Sequence, residues 1–202
     1  SASNGGGSPE IMARTVAGTE AFSRREIEAL GIRDARIVIL DHETAGQAET
    51  VEFGVKQARM SAELPLTIFN IDTFRPNFRF PQGAWFGKSD GYLEVFRGSG
   101  ANWSYVGAAE NSDEPLAIRT TEKQPISDLC CDGLYHFARS GDFLKALEQE
   151  RLTPSSPELY VAPLYNHLIR DGMKIHYEVI PPEAITFCGV PAEYEALLAE
   201  AG

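Results

Sequence analysis

The chain of 202 residues is 43% hydrophobic, enough for one compact domain with a substantial core. Its 29 acidic and 18 basic residues give a formal net charge of −11, which disfavours nucleic acid and anionic membrane as partners but not a small phosphorylated ligand held by backbone N–H groups or one metal ion. No apolar run approaches the ~20 residues of a membrane span, no basic and then apolar leader opens the chain, and Cys130, Cys131 and Cys188 form no CxxC pair, so a cytoplasmic protein with buried thiols is expected.

Residues 1–8 (SASNGGGS) read as a flexible linker or tag-like tail, and residues 9–202 as a single domain. A weak strand covers 9–16. Ser23-Arg24-Arg25-Glu26 fits a capping box, with Ile27 and Leu30 on the apolar face and Gly31 as the stop. The β-branched run 36–40 suits a strand buried on both faces, and Val51, Val55 and Ala58 recur on one face of a helix over 47–60. Residues 66–72 form the next buried strand. Strand, helix and strand with short connections predict a parallel sheet with a right-handed crossover.

From Trp85 onward the pattern becomes short alternating strands at 92–96, 103–106 and 116–120, with Asp90-Gly91 as a hairpin turn. A strand at 133–138, an amphipathic helix at 142–150 and a strand at 174–180 follow. A last helix starts near Pro191 and is expected to bury Tyr194, Leu197 and Leu198.

Four segments carry candidate chemistry. Asp72, at the end of Asn70-Ile71-Asp72, stands where open α/β sheets place ligands, and its carboxylate suits Mg²⁺; capping the next turn is the plain alternative. Gly46 and Gln47 lie in the loop 44–50 ahead of a helix N-terminus, where Thr44 could equally be a simple cap. Glu122 and Lys123 pair a hydroxyl acceptor with a phosphate-neutralising ammonium, or else form a solvated loop pair. Residues 158–166 interleave aromatic rings with an amide, suiting either a polyhydroxylated ligand or a helix entrance with buried tyrosines.

The order of these segments resembles the sugar-phosphate nucleotidyltransferases, especially capsule-type bacterial members. The resemblance runs over about 37–198 and rests on TxGQAET (44–50), NxD (70–72), the EK pair (122–123) leading to GLYxF (133–137), APLYN (162–166) and a late GxP (189–191). It implies an α/β fold with a Rossmann-like mixed, mainly parallel sheet flanked by helices and a small antiparallel β region on the sugar side. It also implies transfer of a nucleotidyl group from a nucleoside triphosphate to a sugar 1-phosphate with release of pyrophosphate, for nucleotide-sugar or capsule polysaccharide biosynthesis. Carried over by position, Asp72 ligates Mg²⁺, Gly46 and Gln47 line the base pocket, Glu122, Gly133, Tyr165 and Asn166 face the sugar, and Lys123 is the phosphate-side cation. A homo-oligomeric state is left open.

Two departures temper the implied activity. The family's GxGxRF loop and PKxL-type segment have no counterpart here, since Gly5-Gly6-Gly7-Ser8 runs into Pro9-Glu10, so the domain is expected to be incomplete at its N-terminus. Where many members read xDxGTP, with the aspartate as second metal ligand, this chain has Phe187 and Val190; Glu183 and Asp132 are nearby acids that nothing in the sequence selects. An inactive sugar- or nucleotide-binding relative is therefore the alternative. A GT-A-type glycosyltransferase ranks lower, because position 70 is Asn and no Asp-x-Asp pair forms.

Overall fold

A computed structural model of the chain describes residues 10–14, 19–32, 35–40 and 42–201; the glycine-rich tail at 1–8 lies outside the described residues. The chain divides into two units, Ser1–Ser61 and Ala62–Gly202.

In the first unit, β1 (Glu10–Arg14) and β2 (Arg36–Leu40) pair in parallel and are joined through α1 (Thr19–Ala29). Ser23 falls inside α1, so the expected capping box is not the helix start, whereas Gly31 at φ 73 does end it, with Ile32 N–H returning to the Ile27 carbonyl. In β2 only Val38 and Leu40 are buried, so this strand hides one face rather than two. Helix α2 (Gln47–Gln57) packs on β1 and β2 and buries Val51 and Val55 as expected, together with Ala48, whereas Ala58 is its half-buried C-cap.

The second unit is built on β8 (Leu129–Phe137), in which every residue but His136 is buried. On one side β8 pairs antiparallel with β5 (Gly91–Arg97), which pairs in parallel with β9 (Ile175–Val179). On the other it meets β3 (Leu66–Ile68) and, through Cys130 and Tyr105, β6 (Ser104–Ala108), which is antiparallel to β7 (Ala117–Glu122). The mixed α/β character holds. Most pairings within this sheet are antiparallel, and among the described residues β3 pairs with β8 and β2 with β1 rather than with each other as expected.

Asp90-Gly91 is not a hairpin turn. Asp90 instead opens β5, accepting the Lys174 N–H on its carboxylate and donating its own N–H to the Lys174 carbonyl.

Helices α3 (Ser140–Leu152) and α4 (Tyr165–Arg170) back the sheet, with the Phe137 ring stacked on Tyr165 at 4.5 Å and edge-on to Phe143 at 5.3 Å. Beyond β9, β10 (Thr186–Phe187) pairs antiparallel with β4 (Thr73–Phe74), and α5 (Pro191–Ala201) follows. Tyr194 and Leu198 are exposed rather than buried as expected, and the side chain of Leu197 lies outside what the structure describes. Among the described residues no helix is long and apolar enough to cross a membrane, and the three cysteines are free, two of them buried.

Candidate functional site

After β3 the chain turns at 71–72 and enters β4, whose pairing with β10 brings the late GxP segment onto the NxD segment. The Asp72 carbonyl accepts the Cys188 N–H at 2.8 Å, while its carboxylate stays exposed. A Cβ on Gly189 would stand 3.2 Å from Asp72 Oδ2, so glycine leaves the carboxylate open on that side. Glu193, which sequence reasoning missed, also approaches Gly189 but caps α5, accepting the N–H groups of Gly189 at 2.8 Å and Val190 at 3.3 Å. Pro191 followed by an acid at the third helical position was the available signal.

Phe187, where the resemblance would put a second metal ligand, lies with its ring 4.8 Å from Trp103 and 5.4 Å from Phe96. Asp132 is turned into the core at 2% exposure, and Glu183 sits on a separate turn, 182–184. Among the described residues no three His, Cys, Asp or Glu side chains cluster to hold a metal. Asp72 alone still fits Mg²⁺, which takes one or two carboxylates and completes its octahedron with water and substrate phosphate.

Gly133 lies in a bulge of β8. Leu93 pairs with Tyr135 and Val95 with Cys131, so Asp132, Gly133 and Leu134 oppose the single residue Glu94. Gly133 has φ 96, and a Cβ there would fall 2.5 Å from Asn70 Nδ2. The bulge thus seats the Asn70 amide directly on the backbone, just ahead of Asp72.

Glu122, Lys123 and Asn166 come together in a cleft of about 440 Å³ that Asp72 does not line. Glu122 Oε2 accepts the Ser104 hydroxyl. Burial raises the Glu122 carboxyl above its ordinary range, against the opposing pull of Ser104 and Lys123. Lys123 has φ 54 and donates from Nζ to the Tyr160 hydroxyl at 2.8 Å; that bond raises its pKa and keeps it charged. Arg119 and Ser156 also line the cleft and were not singled out from sequence, whereas Glu158 and Tyr160, which line it too, belong to the expected 158–166 segment. Two cations and two carboxylates facing one space suit a ligand with both hydroxyls and phosphate.

Asn166 lines this cleft, yet its amide is engaged with the β7 backbone: Oδ1 accepts the Thr120 N–H and Nδ2 donates to the Thr120 carbonyl, both at 2.9 Å. Tyr165 is a correction. At 0% exposure, with its hydroxyl donating to the His136 carbonyl at 2.9 Å and the Tyr92 carbonyl at 3.2 Å, it is a core residue that no sugar can reach. The Tyr165 end of this run is thus a helix entrance, while Tyr160 lines the cleft.

Behind the cleft, Glu150 Oε1 accepts both the amide and the hydroxyl of Ser155, at 2.6 and 2.5 Å, and Oε2 pairs with His167 Nε2 at 2.5 Å. This buried carboxylate ties down the loop after α3, which supplies Ser155, Ser156 and Glu158 to the cleft wall.

Gly46 and Gln47 belong to the first unit. Gly46 is the N-cap of α2 at φ 149, and the loop closes on itself through Thr44 Oγ1 with Thr50 Oγ1 at 2.8 Å and Glu49 Oε2 accepting the Ala45 N–H at 2.6 Å. Thr44 is therefore not the cap. Threonines and Glu49 shape the loop around a glycine that an L side chain would strain.

Comparison with family models and with curated proteins finds no match. Among solved structures, the chain is 45% identical to a nucleoside-diphosphate-sugar pyrophosphorylase from Vibrio cholerae RC9, covering 94% of this chain and 80% of that one with a TM-score of 0.87. A UDP-glucose pyrophosphorylase complexed with UDP-glucose shares the fold at 13% identity, covering 95% and 80% with a TM-score of 0.71. So does the inositol-1-phosphate CTP transferase from T. maritima, at 12% identity, 95% and 74% coverage and a TM-score of 0.65.

Proposed function

Because the chain belongs to the sugar-phosphate nucleotidyltransferase family, that of the 45%-identical pyrophosphorylase, we propose that it transfers a nucleotidyl group from a nucleoside triphosphate to a sugar 1-phosphate. The observation that carries this reading is the cleft in which the Glu122 carboxylate and the charged Lys123 stand side by side. A phosphate oxygen of the sugar 1-phosphate attacks the α-phosphorus in line; one P–O bond forms as the α–β P–O bond breaks, and pyrophosphate leaves.

Glu122 accepts hydrogen bonds from sugar hydroxyls, and Lys123, with Arg119 beside it in the cleft, neutralises the sugar phosphate. Gly133 keeps the Asn70 and Asp72 turn close to the sheet, and Asn166 holds the β7 edge that carries Glu122. Gly46 and Gln47, at the α2 N-terminus, are assigned to the base. Asp72 would hold Mg²⁺, which supplies charge neutralisation on the phosphates. A cytoplasmic role in supplying nucleotide-sugars for surface or capsule polysaccharide is proposed from the capsule-type motifs alone.

Incubation with Mg²⁺ and panels of triphosphates and sugar 1-phosphates, followed by a pyrophosphate assay, tests this reading. Turnover abolished by Asp72→Ala supports it. Ligand binding without turnover identifies an inactive relative, and transfer from a UDP-sugar without pyrophosphate release identifies a glycosyltransferase.

A further inference from the structure

Glu94 and Asp132 place two carboxyl groups inside the sheet, at 1% and 2% exposure, where the β8 bulge faces β5. Arg75 grips Glu94 through both oxygens, Nε to Oε1 at 2.6 Å and Nη2 to Oε2 at 3.3 Å. Asp132 Oδ1 accepts only the Leu134 N–H at 3.0 Å, and its Oδ2 is buried with no partner. The groups facing Asp132 are Glu94 and Tyr92 from β5, Arg75 from the segment after β4, and Cys131 and Tyr135 within β8; Glu178 of β9 faces Glu94. Among these Arg75 is the only cation, and its bidentate grip marks Glu94 as the anion. A second buried negative charge would be uncompensated.

We propose that Asp132 is held as a neutral carboxylic acid whose O–H donates to Glu94, and that through this proton it is the positioning residue for the turn bearing Asp72. The proton satisfies Oδ2 and removes the second charge in one step. Its reach to Asp72 follows from the two anchors of the turn: Asn70 rests on Gly133, next to Asp132, and Arg75 is bound to Glu94. The same pair of carboxyls therefore holds the segment on both sides of Asp72. Burial, joined by repulsion from Glu94 and opposed by the Leu134 amide, raises Asp132 to about 8.

As far as it concerns turnover, the proposal rests on the transferase reading; the proton itself does not. Infrared spectra of the wild type at neutral pH are expected to show the carbonyl stretch of a protonated carboxyl, missing from Asp132→Asn and fading as pH rises through about 8. Asp132→Asn keeps both bonds, with its amide N–H donating to Glu94, so its melting temperature at neutral pH matches or exceeds that of the wild type, whereas that of Asp132→Ala is lower. In pyrophosphate release, Asp132→Ala loses about tenfold in kcat with KM for the sugar 1-phosphate little changed, and Asp132→Asn restores kcat. A wild type without the carboxyl band, or an Asn variant no better than Ala in melting, overturns the proposal. If no variant or wild type turns over, the transferase reading fails, while the infrared and melting results still decide the proton.

Discussion

Phe187 pairs with Thr73 across β10 and β4, one residue from Asp72, and its ring packs on Trp103 and Phe96. The place beside the candidate metal ligand is thus filled by an aromatic ring that stabilises the β4–β10 pair. Phe187→Ala is expected to cost about 2–3 kcal/mol, combining two ring contacts with partial burial. Phe187→Asp is expected to cost more, since its charge would lie among the rings. Urea unfolding of both variants checks the order.

Asp72→Ala separates chemistry from folding. The carboxylate is exposed, and the Asp72 bond to Cys188 uses the backbone carbonyl, so stability should move by no more than about 0.5 kcal/mol. Pyrophosphate release should fall on the order of 1000-fold with loss of the metal's charge stabilisation. Calorimetry and the pyrophosphate assay on one preparation read both quantities.

Local pattern marked most elements because hydrophobic period and turn residues are local properties. The expected strands at 92–96 and 174–180 correspond to β5 and β9 with small boundary shifts. The misreadings arose where the deciding partner is distant in sequence. Gly133 looks like the start of a strand but lies in a bulge inside β8, whose earlier residues pair with β5. Asp90-Gly91 has hairpin composition, yet Asp90 is bonded to Lys174. Tyr165 and Asn166 are adjacent, and either could face a sugar; only packing buries the ring against Phe137 and spends the amide on Thr120. Glu122 and Lys123 were legible as chemistry, but the cleft around them is shaped by Arg119 and Tyr160, and Tyr160 comes from a separate segment.

Asn166 behaves as one residue of an added strand, bonding both backbone groups of Thr120. Asn166→Asp keeps the acceptor but sets a carboxylate oxygen against the Thr120 carbonyl. A loss of about 1–3 kcal/mol is expected, with faster hydrogen exchange at the Thr120 amide and weaker sugar-phosphate binding. Exchange measured by NMR on wild type and variant distinguishes this local loosening from global destabilisation.

Gly133→Ala combines an unfavourable φ of 96 with a Cβ 2.5 Å from the Asn70 amide. Strain and steric displacement together predict a loss of about 2–4 kcal/mol. The accompanying Asn70→Ala removes the amide clash but leaves the residue-70 Cβ at 3.0 Å and the backbone strain, so the double variant should recover only part of the loss. A double-mutant cycle in urea measures the recovered share.

Glu150 gives a pH dependence with a defined sign. Burial pushes its carboxyl up, but the Ser155 hydroxyl, His167 and the Ser155 amide together hold it below the ordinary range. A depressed carboxyl contributes stability that is present above its unfolded value of about 4.3 and is lost as pH falls through the lower folded value. Glu150→Gln cannot accept both Ser155 bonds and His167 in the same way, so it should be less stable than wild type by about 1–3 kcal/mol at neutral pH. That difference should shrink as pH falls through the lowered folded value, where protonation takes the same bonds from the wild type. Because Ser155 leads into the cleft wall, the wild-type loop should also become protease-sensitive in acid, and the variant's loop should already be so at neutral pH. Urea unfolding across a pH series, with limited proteolysis at each point, checks the sign and assigns it to the loop; a difference constant down to strong acid would exclude Glu150 as the source.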